Sequence, residues 1–223
     1  MSCYVTRGMA REALANMQTF HSELDSLYSK HGFDLKENLG RRNILLSQAQ
    51  EAFFAKALKS IYPLASNNGR TGEPDIVIPE LGRELECKLT SRQKSGAIAF
   101  QSDYETLQKK GALDYLYVIA SENFDEFTVV HYSGLTVDDF RPLSNGARGK
   151  VQLRKHVAAP KATIIFGSVD DLKEEQIISI QEKINKTQDR STKKYKILVD
   201  RLSYWKNANS KFRFNTEVIS CGS

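Results

Sequence analysis

Gly72-Glu73-Pro74-Asp75-Ile76-Val77-Ile78-Pro79-Glu80-Leu81-Gly82-Arg83-Glu84-Leu85-Glu86-Cys87-Lys88-Leu89 reads as a β-hairpin. Ile76-Val77-Ile78 is a β-branched run, and Pro79 to Gly82 supplies turn residues. Glu84 to Leu89 then alternates charged and apolar, the period-2 pattern of a strand with one wet face. Glu84, Glu86 and Lys88 point one way; Leu85, Cys87 and Leu89 point the other. A four-residue loop at Pro79–Gly82 pairs Ile78 with Arg83, Val77 with Glu84, Ile76 with Leu85 and Asp75 with Glu86. Opposed residues share a face with Cβ atoms about 5 Å apart, so Asp75 meets Glu86, with Lys88 one step along.

Two facing carboxylates repel. A divalent cation between them reverses the sign, because its charge dominates the local field. A few oxygen ligands with room for water suit magnesium bound together with a substrate phosphate. Lys88 adds a positive charge beside the attacking water. The three residues make a metal-dependent phosphodiester cleavage site.

Pro74-Asp75, ten intervening residues and Glu86-Cys87-Lys88 resemble the PD-(D/E)xK motif of the restriction-endonuclease-like nucleases. The resemblance covers roughly residues 43 to 120. It implies that Asp75 and Glu86 hold Mg2+ with the backbone carbonyl of Cys87, and that Lys88 orients or activates the water. The pattern D/E-x-K also occurs at Asp34-Leu35-Lys36 and Asp171-Leu172-Lys173. The strand context and the single Pro-Asp of the chain set 86–88 apart. The competing reading is an amphipathic edge hairpin whose charged face is simply solvated.

Composition bounds the answer. The 223 residues suit one large domain, 40% apolar and 26% charged, as in a soluble protein. A net charge of +5 and a pI near 9.0 favour a polyanionic partner mildly. Cys3, Cys87 and Cys221 lack CxxC spacing, which argues against structural zinc and a disulfide framework and fits a reducing compartment. With no signal-peptide pattern, no apolar run of spanning length and no P-loop, the expectation is a cytoplasmic protein without a nucleotide cofactor.

Outward from the hairpin, residues 9–30 read as an amphipathic helix ended by His31-Gly32, its His21 a surface or packed histidine. A second helix runs from Asn43 as N-cap to Tyr62 before Pro63, with Leu46, Ala49, Phe53, Ala57 and Ile61 in one stripe. Glu51 lies on its flank; in the resembled family this helix sometimes lends another acid. Arg70 and Glu73 close the polar loop that enters the hairpin. Ser91 to Gly96 is a basic turn, Ala97–Phe100 a third strand, Gln101–Lys110 a helix, and Leu113–Ala120 a buried strand. Helix, three strands, helix, strand is the order that the resemblance implies, and some relatives carry a site glutamine where Gln101 stands.

Phe127–Tyr132 and Thr163–Phe166 read as strands, Leu135–Phe140 as a helical turn and Val151–His156 as a possible strand. The loop 141–150 carries Arg141, Arg148 and Lys150 with Gly and Ser, which suits tracking a phosphate backbone. Arg148, Lys150 and Arg154 are the DNA-binding candidates. A helix is expected over 169–190, with Asp170, Asp171, Glu174 and Glu175 at its positive end. The region 191–223 is basic with interleaved aromatics, suiting either nucleic acid or a helix packed by Leu198, Leu202 and Trp205.

The expected fold is thus α/β, a mixed central sheet flanked by helices, in one domain spanning 1–223. Its core covers about 43–166, its N-terminal helical arm 1–40 and its basic C-terminal region 169–223. The expected function is a Mg2+-dependent endodeoxyribonuclease cutting double-stranded DNA at a specific sequence, a type II restriction endonuclease acting as a homodimer. The alternatives are a structure-selective nuclease such as a Holliday junction resolvase, and a non-catalytic DNA-binding protein.

Overall fold

Leu113–Ala120, in which Tyr115, Tyr117, Val118 and Ile119 favour a strand, is buried at all eight residues, and the sheet grows outward from it. The computed structural model describes residues 3–68, 70, 72–92, 98–143, 149–167, 177–178 and 180–207, and the backbone of 213–214. The helices of the first part are α1 (Arg7–Lys30) and α2 (Leu39–Lys59). Strands β1 (Ser66–Asn67), β2 (Ile76–Ile78) and β3 (Arg83–Ser91) follow, then β4 (Gln101–Asp103) and helix α3 (Tyr104–Lys110). β5 (Leu113–Ala120), β6 (Phe127–Leu135), β7 (Lys150–Gln152), α4 (Lys155–Ala158) and β8 (Ala162–Phe166) complete the middle. Residues 177–178 and 180–185 are helical; helix α5 (Lys193–Lys206) and β9 (Arg213–Phe214) come last.

The main sheet is mixed α/β in kind, with seven strands in the order β1-β2-β3-β5-β6-β8-β9 among the described residues. β3 runs parallel to β5 and β8 to β9, and the other pairs are antiparallel. Because β-strand side chains alternate, β5 sends Leu116, Val118 and Ala120 into one core and Tyr115, Tyr117 and Ile119 into another. The first core holds α1 and α2 through Met9, Ala13, Met17, Leu46, Phe54 and Leu58. The second is closed by Phe100, Leu107, Leu198 and Trp205, which docks α5 through the residues expected for a packed helix.

The hairpin forms in the expected register, with Ile76 opposite Leu85, Val77 opposite Glu84 and Ile78 opposite Arg83. Pro79–Leu81 makes one 3-10 turn, and Gly82 closes it at φ 57°, a left-handed conformation that a side chain disfavours. β3 is interior, however, lying between β2 and β5. The edge-hairpin reading is therefore wrong, and on the face expected to be wet Glu86 is buried while Glu84 and Lys88 are half-exposed.

Other boundaries also differ. α2 starts at Leu39 because Asn38, not Asn43, caps it, accepting the Arg41 N–H at 3.0 Å. Ile61 falls beyond the helix end and is exposed, not in the stripe. The strand expected at 97–100 lies instead at Gln101–Asp103 and pairs with β7 in a separate two-stranded sheet. Gln101 thus sits in a strand. The helix after it begins at Tyr104, because the Asp103 carboxylate accepts the Glu105 and Thr106 N–H groups at 3.2 and 3.3 Å. The strand expected over Val151–His156 stops at Gln152, and the helix expected to 190 stops at 185. Asp170, Asp171, Glu174 and Glu175 lie outside the described residues. No helix among the described residues is long and apolar enough to cross a membrane.

Arg42 locks α2 onto the sheet. Its guanidinium is fully buried and donates to Ser91 Oγ at 2.8 Å, to the Ser121 carbonyl at 3.0 Å and to the Glu122 carbonyl. Asn43 is used here too, its Oδ1 accepting from Ser91 Oγ at 3.1 Å. Phe124 carries the Arg42 charge on its ring, and His21 stacks on that ring at 4.6 Å, a packed histidine. Arg42→Met removes these hydrogen bonds and takes a donor from the buried Ser91 hydroxyl, so it should cost about 1.5–3 kcal/mol, read as a lower urea midpoint with unchanged slope. A shift below about 1 kcal/mol would show that the clamp holds nothing.

Candidate active site on the β2–β3 hairpin

β2 begins at Ile76, so Asp75 stands one residue outside the ladder, and its side chain reaches across instead. Asp75 Oδ2 accepts the Cys87 N–H at 2.7 Å. Glu86 and Lys88 lie on β3 opposite Tyr115 and Tyr117 of β5. Lys88 Nζ bonds Glu86 Oε1 and lies 4.0 Å from Asp75 Oδ2. The structure therefore brings together the three residues that the motif predicted. The Cys87 thiol goes the other way, into the α1–α2 core, where burial raises its pKa far above the ordinary thiol value.

The charges in this group are poorly matched. Glu86 is only 6% exposed, and its Oε2 is buried without a hydrogen-bond partner. Burial first, and then the charge of Glu86, push Asp75 up to about 7. Burial opposes the Lys88 ammonium, but Glu86 and Asp75 outweigh it and raise its pKa. Glu51 of α2 joins them: burial raises its pKa, Lys88 lowers it, Glu86 raises it, and Asn67 hydrogen-bonds it. It is half-buried on the site, not a solvent-facing helix residue.

Two clefts meet at Lys88. One, of about 540 Å³, is lined by Glu51, Arg70, Asp75, Glu86, Lys88 and Lys109 among others. The second, of about 610 Å³, is lined among others by Asn43, Ser47, Glu51, Lys88, Gln101 and Lys150. Glu51, Lys88 and Lys150 border both, so the pair forms one groove across the hairpin. A larger cleft of about 650 Å³ lies apart, lined by apolar side chains such as Leu27, Phe33 and Ile44 at the α1–α2 junction. Its lining also carries His31, Asp34, Glu37 and Arg41, but none of the motif residues.

Of the remaining candidates, Gln101 and Lys150 reach the groove, Lys150 held by Asp103 at 3.3 Å. Arg154 does not line it; its guanidinium bonds the Asp138 carbonyl. Arg148 lies outside the described residues. Arg70 and Glu73 both border the groove, Glu73 paired with Lys109 at 3.2 Å and Lys110 at 2.9 Å. Lys110 also reaches Glu84 at 2.8 Å, bracing both sides of the hairpin against α3. Sequence reasoning missed this brace. Its one local signal is the Lys109-Lys110 pair at the helix C-terminus, where cations are favoured anyway.

Among the described residues, no group of three or more His, Cys, Asp or Glu side chains is arranged to hold a metal ion. The donor set whose chemistry fits a cation is Asp75 with Glu86, because Glu86 Oε2 is buried without a partner and burial together with the Glu86 charge raises the Asp75 pKa. Two carboxylates suit a hard cation that keeps several water or phosphate ligands, as magnesium does. No protein-family model matches the chain, and no curated protein is significantly similar to it in sequence.

The raised Asp75 pKa has a stability consequence with a definite sign. Between its ordinary value and about 7, the folded state keeps a proton that the unfolded chain has lost. Metal-free stability therefore falls as pH rises across that window and levels off above it. Asp75→Asn keeps an acceptor for the Cys87 N–H and removes the penalty. It should stabilise the metal-free protein at pH 8 by roughly 1–3 kcal/mol, about 2–4 °C in Tm per kcal/mol at this size, and little at pH 4. Magnesium should raise the wild-type Tm more at pH 8 than at pH 5.5 and leave Asp75→Asn nearly unmoved. An equal magnesium shift in both proteins would remove Asp75 from the ligand set.

Proposed function

We propose that this protein is a Mg2+-dependent endonuclease hydrolysing phosphodiester bonds of double-stranded DNA. The observation that carries the reading is the buried, unpartnered Glu86 carboxylate oxygen beside Asp75 and Lys88. A bound magnesium ion would neutralise the carboxylates, polarise the phosphoryl oxygens and lower the pKa of a coordinated water. Asp75 and Glu86, with the Cys87 carbonyl as a third donor, would hold it. Lys88 would orient the attacking water and offset the charge that builds on the phosphate. Water adds across one P–O bond, the leaving oxygen takes a proton, and the products are a phosphate monoester and a hydroxyl. Glu51 is an accessory acid on the same groove, and Gln101 and Lys150 border the path of the strand.

Within this reading the protein is a type II restriction endonuclease. One site per chain requires two chains to cut both strands, hence a homodimer, and a cytoplasmic location goes with that role. A restriction enzyme reads base edges in the major groove, where each wrong pair costs about 1–3 kcal/mol.

Incubated with plasmid and magnesium, the protein should yield a few discrete linear fragments on a gel. Asp75→Ala and Glu86→Gln should each lower the rate by about a hundredfold or more. Lys88→Ala should lower the rate strongly while DNA binding in calcium stays nearly intact, because its charge acts on the transition state more than on ground-state binding. Cutting retained by either carboxylate variant would end the site assignment. A smear from every duplex, or cleavage of four-way junctions alone, would refute sequence-specific restriction and leave the metal site standing.

A further inference from the structure

Val151 and Leu153 are buried, while Lys150 and, more partially, Gln152 and Arg154 are exposed to solvent. The strand part of this row, Lys150 to Gln152, spans about 7 Å, and Arg154 stands two residues further on, at the start of α4. Its near end, Lys150, borders the groove beside Lys88. At its far end the chain gathers cations. Arg141 is held next to Arg154 because its N–H bonds the Gln152 carbonyl at 2.8 Å. Helix α5 packs on α4 and brings Arg201, with Tyr204 one turn on, whose ring meets His156 edge-on at 6.3 Å.

Burial lowers the pKa of His156, and Arg201, Arg154 and Arg141 lower it further; the charges acting on it are all positive. Among the described residues, none of these three guanidinium groups pairs with a carboxylate. Two donors at this place are buried without partners, Arg154 Nε and the Tyr204 hydroxyl. Gathering like charges costs free energy, and buried donors without acceptors cost more. A single phosphate would answer the crowding of charge, since its oxygens accept several hydrogen bonds and its charge suits the guanidinium fork.

We propose that Arg141, Arg154 and Arg201, with His156 and Tyr204, form a second phosphate site that grips the backbone of the same DNA a few nucleotides from the scissile bond. The ligand assignment rests on the nuclease reading; the anion chemistry does not. The row from Lys150 to Arg154 supplies the track between the two sites, and it makes the C-terminal helix part of the nucleic-acid surface.

Two measurements test it. Inorganic phosphate should raise the Tm of the wild-type protein and shift Arg154→Gln and Arg201→Gln much less, with Arg201→Lys intermediate because it keeps the charge and loses the fork. Binding to a 30-base-pair duplex in calcium should weaken about three- to tenfold in each Gln variant. The slope of log affinity against log salt should flatten by about one per cation removed. Equal phosphate shifts in all four proteins would overturn the site. A phosphate shift lost in the variants with an unchanged salt slope would overturn the DNA assignment, the anion then coming from another source. If the wild-type protein binds duplex but never cuts it, the nuclease reading fails while the salt slope still judges this one.

Discussion

The hydrogen bond from the Cys87 N–H to Asp75 Oδ2, at 2.7 Å, is the constraint on which the rest depends. It pins a carboxylate from outside the β2 ladder onto the middle of β3, next to a second carboxylate that repels it. The sheet supplies the opposing free energy. Ile76, Ile78 and Leu85 are fully buried on the hairpin's other face, and burial of each such side chain contributes about 1.5–3 kcal/mol. β3 is also held along its length by β5, in register from Leu85 to Ser91. A strand anchored on both sides can hold a local repulsion that a free edge would relieve by twisting away.

What the sequence disclosed follows the range of the forces involved. The hairpin register depends on a four-residue turn and local alternation, so Ile76 opposite Leu85 could be read directly. β5 could be read because eight consecutive buried residues leave no helix-like wet stripe. The burial of Glu86 could not. It depends on β5 arriving as a parallel neighbour some thirty residues later, and nothing local to Glu84–Leu89 encodes that partner. Asn43 misled for a related reason: an asparagine near a helix start reads as a cap, but its amide oxygen is used by Ser91, 48 residues away. Gln101 misled because capping by Asp103 decides the start of α3, and an aspartate two positions on competes with any reading of the glutamine as helical.

Burial changes the weight of the motif itself. An Asp, a Glu and a Lys on a wet edge would be an ordinary solvated face. The same set under a sheet carries a desolvation cost, and replacing buried ionic groups with apolar ones of similar size is often neutral or stabilising. A purely structural hairpin therefore has a cheaper alternative in every one of these positions. Departures from the ordinary rules of burial and pairing are expected at functional sites.

The charge balance at the groove carries the argument one step further. Asp75, Glu86 and Glu51 contribute three carboxylates that act on one another, against the single ammonium of Lys88. Lys109 and Lys110 are engaged with Glu73 and Glu84, and Lys150 with Asp103, while Arg70 borders the groove. With all three acids ionised, the four groups Asp75, Glu86, Glu51 and Lys88 are left two negative charges in excess. Without a ligand the protein relieves the excess by holding Asp75 partly protonated near neutral pH. A divalent cation held by Asp75 and Glu86, as proposed above, would relieve it and would give the orphaned Glu86 oxygen a partner. It would also weaken the hold of Glu86 on Lys88, releasing the ammonium towards the groove where a phosphate would lie. The imbalance itself, registered by the raised Asp75 pKa and the unpartnered Glu86 oxygen, is the strongest physical support for the proposed hydrolytic centre.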